Sequence, residues 1–273
     1  MSSSPTLLLR SGRNIPQVGL GVYQAPVGAT TRDAVTAALR AGYRHIDTAR
    51  IYQNEADVGA AIKSSGIPRE DIFVTTKLWN DDHGHDKALR AFDASAKRLG
   101  LDYIDLYLIH WPVGGKRLET WRALEELHAA KRARSIGVSN YLVPHLQELL
   151  AVASHAPDVN QIELTPFLQR RDTVALCKQE KIVVEAYSPL TRGQRLAHPV
   201  VRAVSAELGK TPAQVLLRWG VQHAFVVLPK SVREARIVEN ASIWDFTLSD
   251  DQLARLDALE ENLATGWDPA EQE

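Results

Sequence analysis

The stretch Tyr103-Ile-Asp-Leu-Tyr-Leu-Ile-His110 is almost continuously apolar up to its terminal histidine. A second stretch, Ile182-Val-Val-Glu-Ala-Tyr187, has a similar character. Such runs are typical of parallel β-strands that are covered on both faces, whereas a strand with one solvated face alternates apolar and polar residues. The two stretches therefore predict a parallel sheet inside an α/β protein.

Amphipathic helical segments separate these stretches from six further β-rich runs. One helical segment places Leu146, Leu149, Leu150 and Ala153 at the i, i+3, i+4, i+7 spacing of a helix face. Eight strands that alternate with helices predict one closed (β/α)8 barrel, a TIM barrel, with residues 1–273 as a single domain. The predicted strands are Val18–Val22, Tyr43–Thr48, Ile72–Leu78, Tyr103–His110, Arg134–Ser139, Val159–Leu164, Ile182–Ser188 and Phe225–Pro229.

Two segments lie outside the eightfold pattern. Thr6–Arg10 and Asn14–Val18 predict an N-terminal β-hairpin, and Ser249–Glu261 predicts an extra C-terminal helix before a polar tail. A doubly wound open sheet is the competing layout, and its dinucleotide-binding form requires G-x-G-x-x-G at the first helix. The nearest candidate, Gly19-Leu-Gly21, lacks the third glycine, so the barrel is favoured.

Local signals also predict where several helices begin and end. Thr211-Pro-Ala-Gln214 has the pattern of an N-cap, a proline in the first turn and a capping-box glutamine. Thr30-Thr-Arg-Asp33 and Ser249-Asp-Asp-Gln252 carry similar start signals, and Gly42 and Gly100 stand where helices should stop.

Composition excludes several classes of protein. The formal net charge of −1, without a long charged block, argues against binding to nucleic acid or to a charged membrane surface. A single cysteine, Cys177, cannot form an internal disulfide and fits a reducing compartment. No apolar run near the start is long enough for a signal peptide or membrane span, so we expect a soluble cytoplasmic monomer.

Four titratable residues lie at or just beyond the ends of neighbouring predicted strands, at the rim where such barrels build their active sites. They are Asp47, Tyr52, Lys77 and His110. A tyrosine is a weak acid at neutral pH, so we expect the Lys77 ammonium to stabilise the Tyr52 phenolate while Asp47 holds the lysine. His110 could orient a substrate carbonyl towards the tyrosine, which would protonate the alkoxide left by hydride addition.

Each of the four also has a structural interpretation. Asp47 could cap a helix, Tyr52 could lie at an interface, and His110 alone is more often a core histidine with satisfied hydrogen bonds. Lys77 is harder to explain in this way, because it lies in the apolar run Ile72–Trp79 and a buried lysine needs a partner. The joint pattern, rather than any one residue, therefore predicts a catalytic set.

Eight short motifs follow one another along the chain. They are Gly19-Leu-Gly-Val22, Gly42-Tyr-Arg-His-Ile-Asp-Thr-Ala49 with Tyr52, Asn54 and Glu55, Thr76-Lys-Leu-Trp79, Asp105-Leu-Tyr-Leu-Ile-His-Trp-Pro112, Ile136-Gly-Val-Ser-Asn140, Asn160-Gln-Ile-Glu163, Ala186-Tyr-Ser-Pro-Leu190 and Pro229-Lys-Ser-Val232. In this order, from Gly19 to Asn240, the chain resembles the aldo-keto reductases, and its short loops resemble the prokaryotic branch related to diketogluconate reductases.

The resemblance implies an NADPH-dependent reductase of aldehydes and ketones whose catalytic tetrad is the four residues named above. It implies that Tyr187 stacks on the nicotinamide, that Ser139, Asn140 and Gln161 hold its carboxamide, and that Ser188 and Leu190 border the pyrophosphate. The residues implied around the adenosine end are Lys230, Ser231, Arg236, Glu239 and Asn240.

Two cations and a hydroxyl at that end suit the dianionic 2′-phosphate of NADPH rather than NADH. The alternative is that Lys230 or Arg236 forms a surface charge pair with Glu234 or Glu239.

The substrate pocket is expected to be lined by Tyr23, Trp79, Trp111 and Trp267, whereas Trp121, Trp219 and Trp244 are expected in the core. Aromatic walls suit small aldehydes, dicarbonyls, aromatic carbonyls or keto-sugar acids.

Two neighbouring features have more than one interpretation. Arg50 could attract acidic substrates, although a solvent-exposed position is favoured. The stretch Asn80-Asp-Asp-His-Gly-His-Asp86 has metal-ligand residue types, but their crowding and the helix start there favour a polar loop without metal.

Two rival functions remain open from the sequence. One is a non-catalytic module that binds nicotinamide on the same barrel and reports redox state to a partner. The other is a Schiff-base aldolase that uses Lys77 and needs no nicotinamide. The complete set of four polar residues favours the reductase over both.

Overall fold

The computed structural model describes residues 4–271, so Met1–Ser3 and the last two residues of the predicted polar tail lie outside it. In this range eight strands form one parallel sheet, and two short strands form an antiparallel hairpin. The predicted (β/α)8 barrel and N-terminal hairpin are confirmed. The strands are β1 (Thr6–Leu8), β2 (Asn14–Pro16), β3 (Leu20–Gly21), β4 (His45–Asp47), β5 (Phe73–Leu78), β6 (Ile104–Ile109), β7 (Ala133–Ser139), β8 (Val159–Glu163), β9 (Val183–Tyr187) and β10 (Val226–Leu228).

The barrel closes where its first and last strands meet. A parallel bridge joins Gly21 to Lys230 across this seam, and the Gly19 N–H donates to the Val227 carbonyl at 3.0 Å. A Cβ on Gly19 would lie only 2.7 Å from Nδ1 of His45, so the approach requires glycine. Closure brings the loop after β10 beside the loop after β3.

Helices follow the strands on the outside of the barrel. The α-helices are α1 (Ala29–Arg40), α2 (Glu55–Ser64), α3 (His85–Leu99), α4 (Arg117–Ala129), α5 (Val143–Leu150), α6 (Arg171–Gln179), α7 (Pro199–Leu208), α8 (Pro212–Gln222), α9 (Glu234–Ala241) and α10 (Asp250–Asp257). Single turns of 3-10 helix lie at Arg50–Tyr52, Arg69–Asp71, Asn80–Asp82, Thr191–Gly193 and Pro269–Glu271.

Several predicted helix boundaries are confirmed. Thr211 and Ser249 each begin a helix with a complete capping box, and Gly100 ends α3 in the left-handed conformation at φ 65°. The start predicted at Thr30–Asp33 is wrong, because α1 begins at Ala29 after Gly28 and no side chain caps it.

The C-terminal segment also differs from the expected helix, because α10 ends at Asp257 and not at Glu261. The Asp257 carboxylate accepts a hydrogen bond from Nε1 of Trp219 at 2.7 Å. The chain then leaves the helix, and the Glu261 N–H donates to the Phe167 carbonyl at 3.1 Å. The following residues form an irregular tail that ends in the 3-10 turn at Pro269–Glu271.

Apolar side chains fill two regions of the fold. Two adjacent residues of β6 illustrate the division. Leu108 joins a small cluster that includes Ile15 of the hairpin, whereas Tyr107 belongs to the larger core that also contains helix residues. The alternation follows from the period of two along a strand. Trp121 is buried as expected, but Trp244 is 36% exposed, so its predicted core position is wrong.

No helix in residues 4–271 combines the length and the apolar character that crossing a bilayer requires.

The capping box of α10 gives a test of the fold that lies away from the cavity described below. Replacing Ser249 with alanine removes the acceptor of the Gln252 N–H, which lies 3.2 Å away, and should lower the free energy of unfolding by about 1 kcal/mol. Ser249→Thr keeps the hydroxyl and serves as the control. Denaturant unfolding measures both, and equal loss in the two variants would contradict the capping role.

Candidate active site

A cavity of about 1030 Å³ opens at the carboxyl ends of the barrel strands. One end is lined by Trp79, Trp111 and Trp267, and the other by Arg236 and Asn240. The cavity extends from Trp79, just after β5, to Arg236 in α9, the helix that follows β10. It brings together all the cofactor and substrate residues named from the sequence, and three of the four catalytic candidates also line it.

Lys77 is the member of the tetrad that does not line the cavity. It points into the barrel from β5, is fully buried, and donates from Nζ to both carboxylate oxygens of Asp47 at 2.7 Å. It also donates to the Thr48 carbonyl at 2.9 Å. The Lys77 ammonium thus has the partner that a buried lysine needs.

The Tyr52 hydroxyl lies 3.5 Å from Nζ of Lys77, between the buried ion pair and the cavity. Burial raises the pKa of this hydroxyl well above its usual value, and the Asp47 carboxylate adds to the increase. The sequence led us to expect that Lys77 would stabilise the Tyr52 phenolate and thereby lower the pKa of the hydroxyl. In the structure, desolvation of the buried hydroxyl is the largest influence on that pKa.

His110 lies next to Tyr52 at the end of β6. Its ring packs edge-on against Tyr52 and Trp79, with centroid separations of 5.7 and 5.2 Å. Burial lowers the pKa of His110 well below its usual value, and the positive charge of Lys77 lowers it further. The imidazole is therefore neutral at physiological pH, and its N–H can donate a hydrogen bond to an uncharged carbonyl oxygen.

Gln161 is held in one orientation by two carboxyl groups. Its Nε2 donates to Oδ2 of Asp47 at 2.9 Å and to Oε2 of Glu185 at 2.6 Å. Both of its amide hydrogens are used in this way, so its Oε1 remains to accept a donor such as a carboxamide N–H. The sequence analysis did not identify Glu185, although a glutamate inside an apolar strand raises the same question as Lys77.

Tyr187 and Asn140 are fixed to one another beside Gln161. The Tyr187 hydroxyl donates to Oδ1 of Asn140 at 2.8 Å, and Nδ2 of Asn140 donates to the His110 carbonyl at 3.0 Å. Ser139 donates from Oγ to the Gln161 carbonyl at 2.8 Å. The Tyr187 ring therefore forms a rigid wall of the cavity next to polar groups that suit a carboxamide.

The loop after β9 lies along the middle of the cavity and has an unusual backbone. Ser188, Thr191 and Arg192 have φ values of 49°, 51° and 49°, in the region that favours glycine. Such strain persists only where the surroundings hold it, and it is common at ligand clamps. Ser188 and Leu190, expected beside a pyrophosphate, line this part of the cavity.

The far end of the cavity carries the positive charge. Lys230 donates to the Gln24 carbonyl at 3.3 Å across the seam, and within residues 4–271 neither Lys230 nor Arg236 forms an ion pair. The alternative of a charge pair with Glu234 or Glu239 therefore does not hold in this range, and the Glu239 carboxylate accepts instead from Oγ1 of Thr211 at 2.7 Å. Both cations remain available to an anion. The other residues expected there, Ser231, Glu239 and Asn240, line the same end.

The aromatic end of the cavity is closed by the C-terminal tail. Trp267 packs against Trp79 and Trp111, with centroid separations of 6.4 and 6.1 Å, yet 71% of it remains exposed. The ring of Tyr23 packs against that of Tyr52, with a centroid separation of 5.0 Å. The sequence alone predicted these four aromatic positions around the pocket, and all four line the cavity.

Glu163, at the end of β8, anchors this tail. Its buried carboxylate accepts hydrogen bonds from the Thr265 N–H at 2.9 Å, from the Thr265 hydroxyl and from the Gly266 N–H at 3.3 Å. The residue stands in a motif recognised from the sequence, but only the structure reveals what it holds.

Two polar features near the tetrad have structural partners. Arg50 forms an ion pair with Asp82, with Nε 2.8 Å from Oδ2, so it neither extends freely into solvent nor faces a substrate as a bare cation. In the Asn80–Asp86 stretch, His83 is buried against Oγ1 of Thr120 at 3.0 Å, and α3 begins at His85. In the described part of the chain, no group of three or more histidine, cysteine, aspartate or glutamate residues could hold a metal ion.

Comparison with known proteins agrees with this geometry. The profile of the Aldo/keto reductase family matches residues 18–261. The chain belongs to this family. It is 47% identical to the glyoxal reductase of Bacillus subtilis (strain 168), over 99% of this chain and 98% of that protein.

Solved structures of the family superpose closely. An aldo-keto reductase from a Medee basin deep-sea metagenome library gives a TM-score of 0.93 at 44% identity, over 94% of this chain and 96% of that chain. The Bombyx mori aldo-keto reductase AKR2E4 in complex with NADP gives a TM-score of 0.91 at 37% identity, over 97% of this chain and 95% of that chain. Aldo/keto reductases are NADP(H)-dependent oxidoreductases, and this chain is an enzyme of that class.

The Glu163 anchor predicts how the tail of this aldo/keto reductase responds to mutation. Glu163→Gln removes negative charge from an acceptor of three hydrogen bonds, so the Thr265 and Gly266 amides should exchange with deuterium about tenfold faster or more. Thr265→Ser keeps the hydroxyl donor and should leave the Gly266 amide protected. Unchanged exchange in Glu163→Gln would show that the tail is held by its tryptophan contacts.

Proposed function

We propose that the protein reduces aldehydes and ketones to alcohols with NADPH, and that Tyr52 supplies the proton. The observation that carries this proposal is the position of the Tyr52 hydroxyl, 3.5 Å from a lysine ammonium that is buried behind it. Bound NADPH supplies the hydride. The protein's own residues then have to hold the carbonyl, deliver one proton and exclude water.

The proton step runs from Tyr52 into the substrate. A hydroxyl with a raised pKa stays protonated at neutral pH, so Tyr52 is ready to donate as negative charge develops on the carbonyl oxygen. The phenolate that forms would lie against Nζ of Lys77, whose ammonium is held in place by Asp47. The ion pair therefore acts when the tyrosine has lost its proton.

His110 orients the reacting carbonyl. Because its imidazole is neutral, its N–H can bind the carbonyl oxygen without competing with Tyr52 for the role of acid. Its ring packs edge-on against Tyr52 at 5.7 Å, so both groups can reach one oxygen. Trp79 and Trp111 shield this point from water.

The cofactor fits the cavity by the chemistry of its lining. Gln161 and Asn140 offer amide groups at one end, and Tyr187 offers an aromatic face beside them. Lys230 and Arg236, free of carboxylate partners in the described residues, suit a 2′-phosphate at the other end. This arrangement supports NADPH as the preferred form.

Small carbonyl compounds, dicarbonyls and aromatic aldehydes are the proposed substrates, with keto-sugar acids as a further class. Four aromatic side chains form the walls, and the rings of Tyr52 and His110 pack against them. The identity to a protein named glyoxal reductase supports the dicarbonyl class.

The rival functions have less support. A Schiff-base aldolase would need an accessible amine, whereas Lys77 is fully buried and donates two hydrogen bonds to Asp47. A non-catalytic nicotinamide-binding module would not require Tyr52, Lys77 and His110 to converge on one point.

We also propose a cytoplasmic monomer. Cys177 is buried and free, which suits a reducing compartment. The monomeric state stays a prediction that sedimentation would test.

The proton-donor role is tested by Tyr52→Phe. The variant should bind NADPH as the wild type does and lose carbonyl reduction by about 100-fold or more, because it keeps the ring and loses the hydroxyl proton that the proposed mechanism transfers to the substrate. Steady-state turnover and cofactor fluorescence titration measure the two properties. A variant that turns over at the wild-type rate would rule out Tyr52 as the acid.

The cofactor preference is tested by Arg236→Ala. Loss of one charge-assisted contact to a 2′-phosphate should raise the Kd for NADPH about tenfold or more and leave that for NADH nearly unchanged. Arg233→Ala removes a neighbouring exposed cation and serves as the control. Equal weakening of both nucleotides by Arg236→Ala would contradict the assignment.

A further inference from the structure

Glu185 is a fully buried carboxyl group at the centre of the barrel that the proposed proton step does not use. It lies on β9, one of the two strands whose apolar character defined the fold. The bond from Gln161 connects it to Asp47, and through Asp47 to Lys77 and Tyr52. A charge on Glu185 would therefore influence Asp47, Lys77 and Tyr52 electrostatically from inside the barrel.

The surroundings of Glu185 favour its neutral form. Its Oε1 lies 3.5 Å from Nε2 of His45 and accepts no hydrogen bond from the described residues. Burial lowers the pKa of His45 to about 3, so this ring is neutral and cannot neutralise a carboxylate, and its Nε2 also lies 3.0 Å from Oγ1 of Thr75. The only buried cation in the group, Lys77, is already paired with Asp47.

Each element packed against Glu185 contributes to this balance. Strand β4 contributes neutral His45 and charged Asp47, β5 contributes Lys77, and β8 contributes the uncharged amide of Gln161. Strand β10 pairs with Glu185 through Val226 and is apolar there. With Glu185 protonated the cluster holds one positive and one negative charge, and with Glu185 ionised it holds an excess negative charge in a dry interior.

We propose that Glu185 is a positioning residue of the reductase site, whose neutral carboxyl orients Gln161 and keeps the Asp47–Lys77 pair balanced, and whose ionisation weakens Tyr52 as a proton donor. The inference rests on the proposed function. Proton loss from Glu185 releases the proton to solvent and leaves a carboxylate. The added negative charge opposes the tyrosine phenolate that forms during reduction.

The groups around Glu185 determine the direction of its effect on the reduction rate and the pH range in which that effect occurs. Burial, together with the Asp47 charge, raises the pKa of Glu185 to about 8. Reduction should therefore be at its full rate below pH 8 and fall as the pH rises through 8, because ionised Glu185 disfavours the Tyr52 phenolate. Alcohol oxidation, which starts from that phenolate, should be suppressed by the same ionisation.

The test compares the pH profile of single-turnover carbonyl reduction in the wild type and in Glu185→Gln. Glutamine reproduces the neutral carboxyl, accepts from Gln161 and cannot ionise. The wild-type rate should fall about tenfold across this range, as expected for one unit charge in the protein interior, and the fall should be absent in Glu185→Gln. A Glu185→Gln profile with the same step near pH 8 would overturn the proposal.

Two controls separate charge from structure. Asp105→Asn changes a partly buried carboxyl, which is paired with Arg69 at 2.6 Å and lies outside the cluster around Glu185, and it should keep the wild-type step. Glu185→Leu removes the acceptor of the Gln161 amide and should also raise the Kd for NADPH. If Glu185→Leu retains the step near pH 8, the titrating group is not Glu185.

An infrared difference titration distinguishes this inference from the proposed function. The wild type should show a protonated carboxyl band that disappears as the pH passes about 8, and Glu185→Gln should lack it. Presence of the band without NADPH oxidation by any aldehyde would refute the proposed function and leave the protonation of Glu185 intact. Absence of the band at pH 6 would overturn the inference.

Discussion

The ion pair between Lys77 and Asp47 is the interaction on which the site depends. It lies inside the barrel, with Nζ 2.7 Å from both carboxylate oxygens. Removing either partner of a buried pair leaves an uncompensated charge and typically costs about 3–5 kcal/mol. Such a pair is rarely kept for stability alone, and here it places an ammonium 3.5 Å from the Tyr52 hydroxyl. The fold therefore holds a cation where a phenolate would form.

The barrel brings these groups together although they are distant in the sequence. Parallel strands end at the same rim, so residues at or just after the ends of β4, β5 and β6 converge although they are far apart along the chain. The same geometry extends the site in both directions. The seam at Gly21 brings the cations after β10 beside β3, and the Glu163 anchor brings Trp267 over the reacting end. One cavity thus joins an end that can bind an anion to an end that is lined by aromatic side chains.

Local signals in the sequence predicted the strands and singled out Asp47, Tyr52, Lys77 and His110 as a candidate catalytic set. The resemblance to a family, and not a local signal, implied the residues that would bind the cofactor. The catalytic roles stay a prediction. Lys77 stood out as a charge in an apolar run. Glu185 carried the same signal but was missed, since its partners come from strands far away in the sequence. The rise in the pKa of Tyr52 was also unpredictable, because it depends on how burial and Asp47 offset a nearby ammonium. The 36% exposure of Trp244 depends on packing that composition does not report.

The measurement that tests the central claim most directly is stopped-flow single-turnover oxidation of bound NADPH by saturating aldehyde in Lys77→Met. The side chain keeps its approximate length and loses the ammonium that faces Tyr52. With folding checked by circular dichroism, we predict unchanged NADPH affinity and cofactor oxidation slowed about 100-fold or more. Oxidation at the wild-type rate in the folded, NADPH-saturated variant would show that the buried lysine does not support the proton donor.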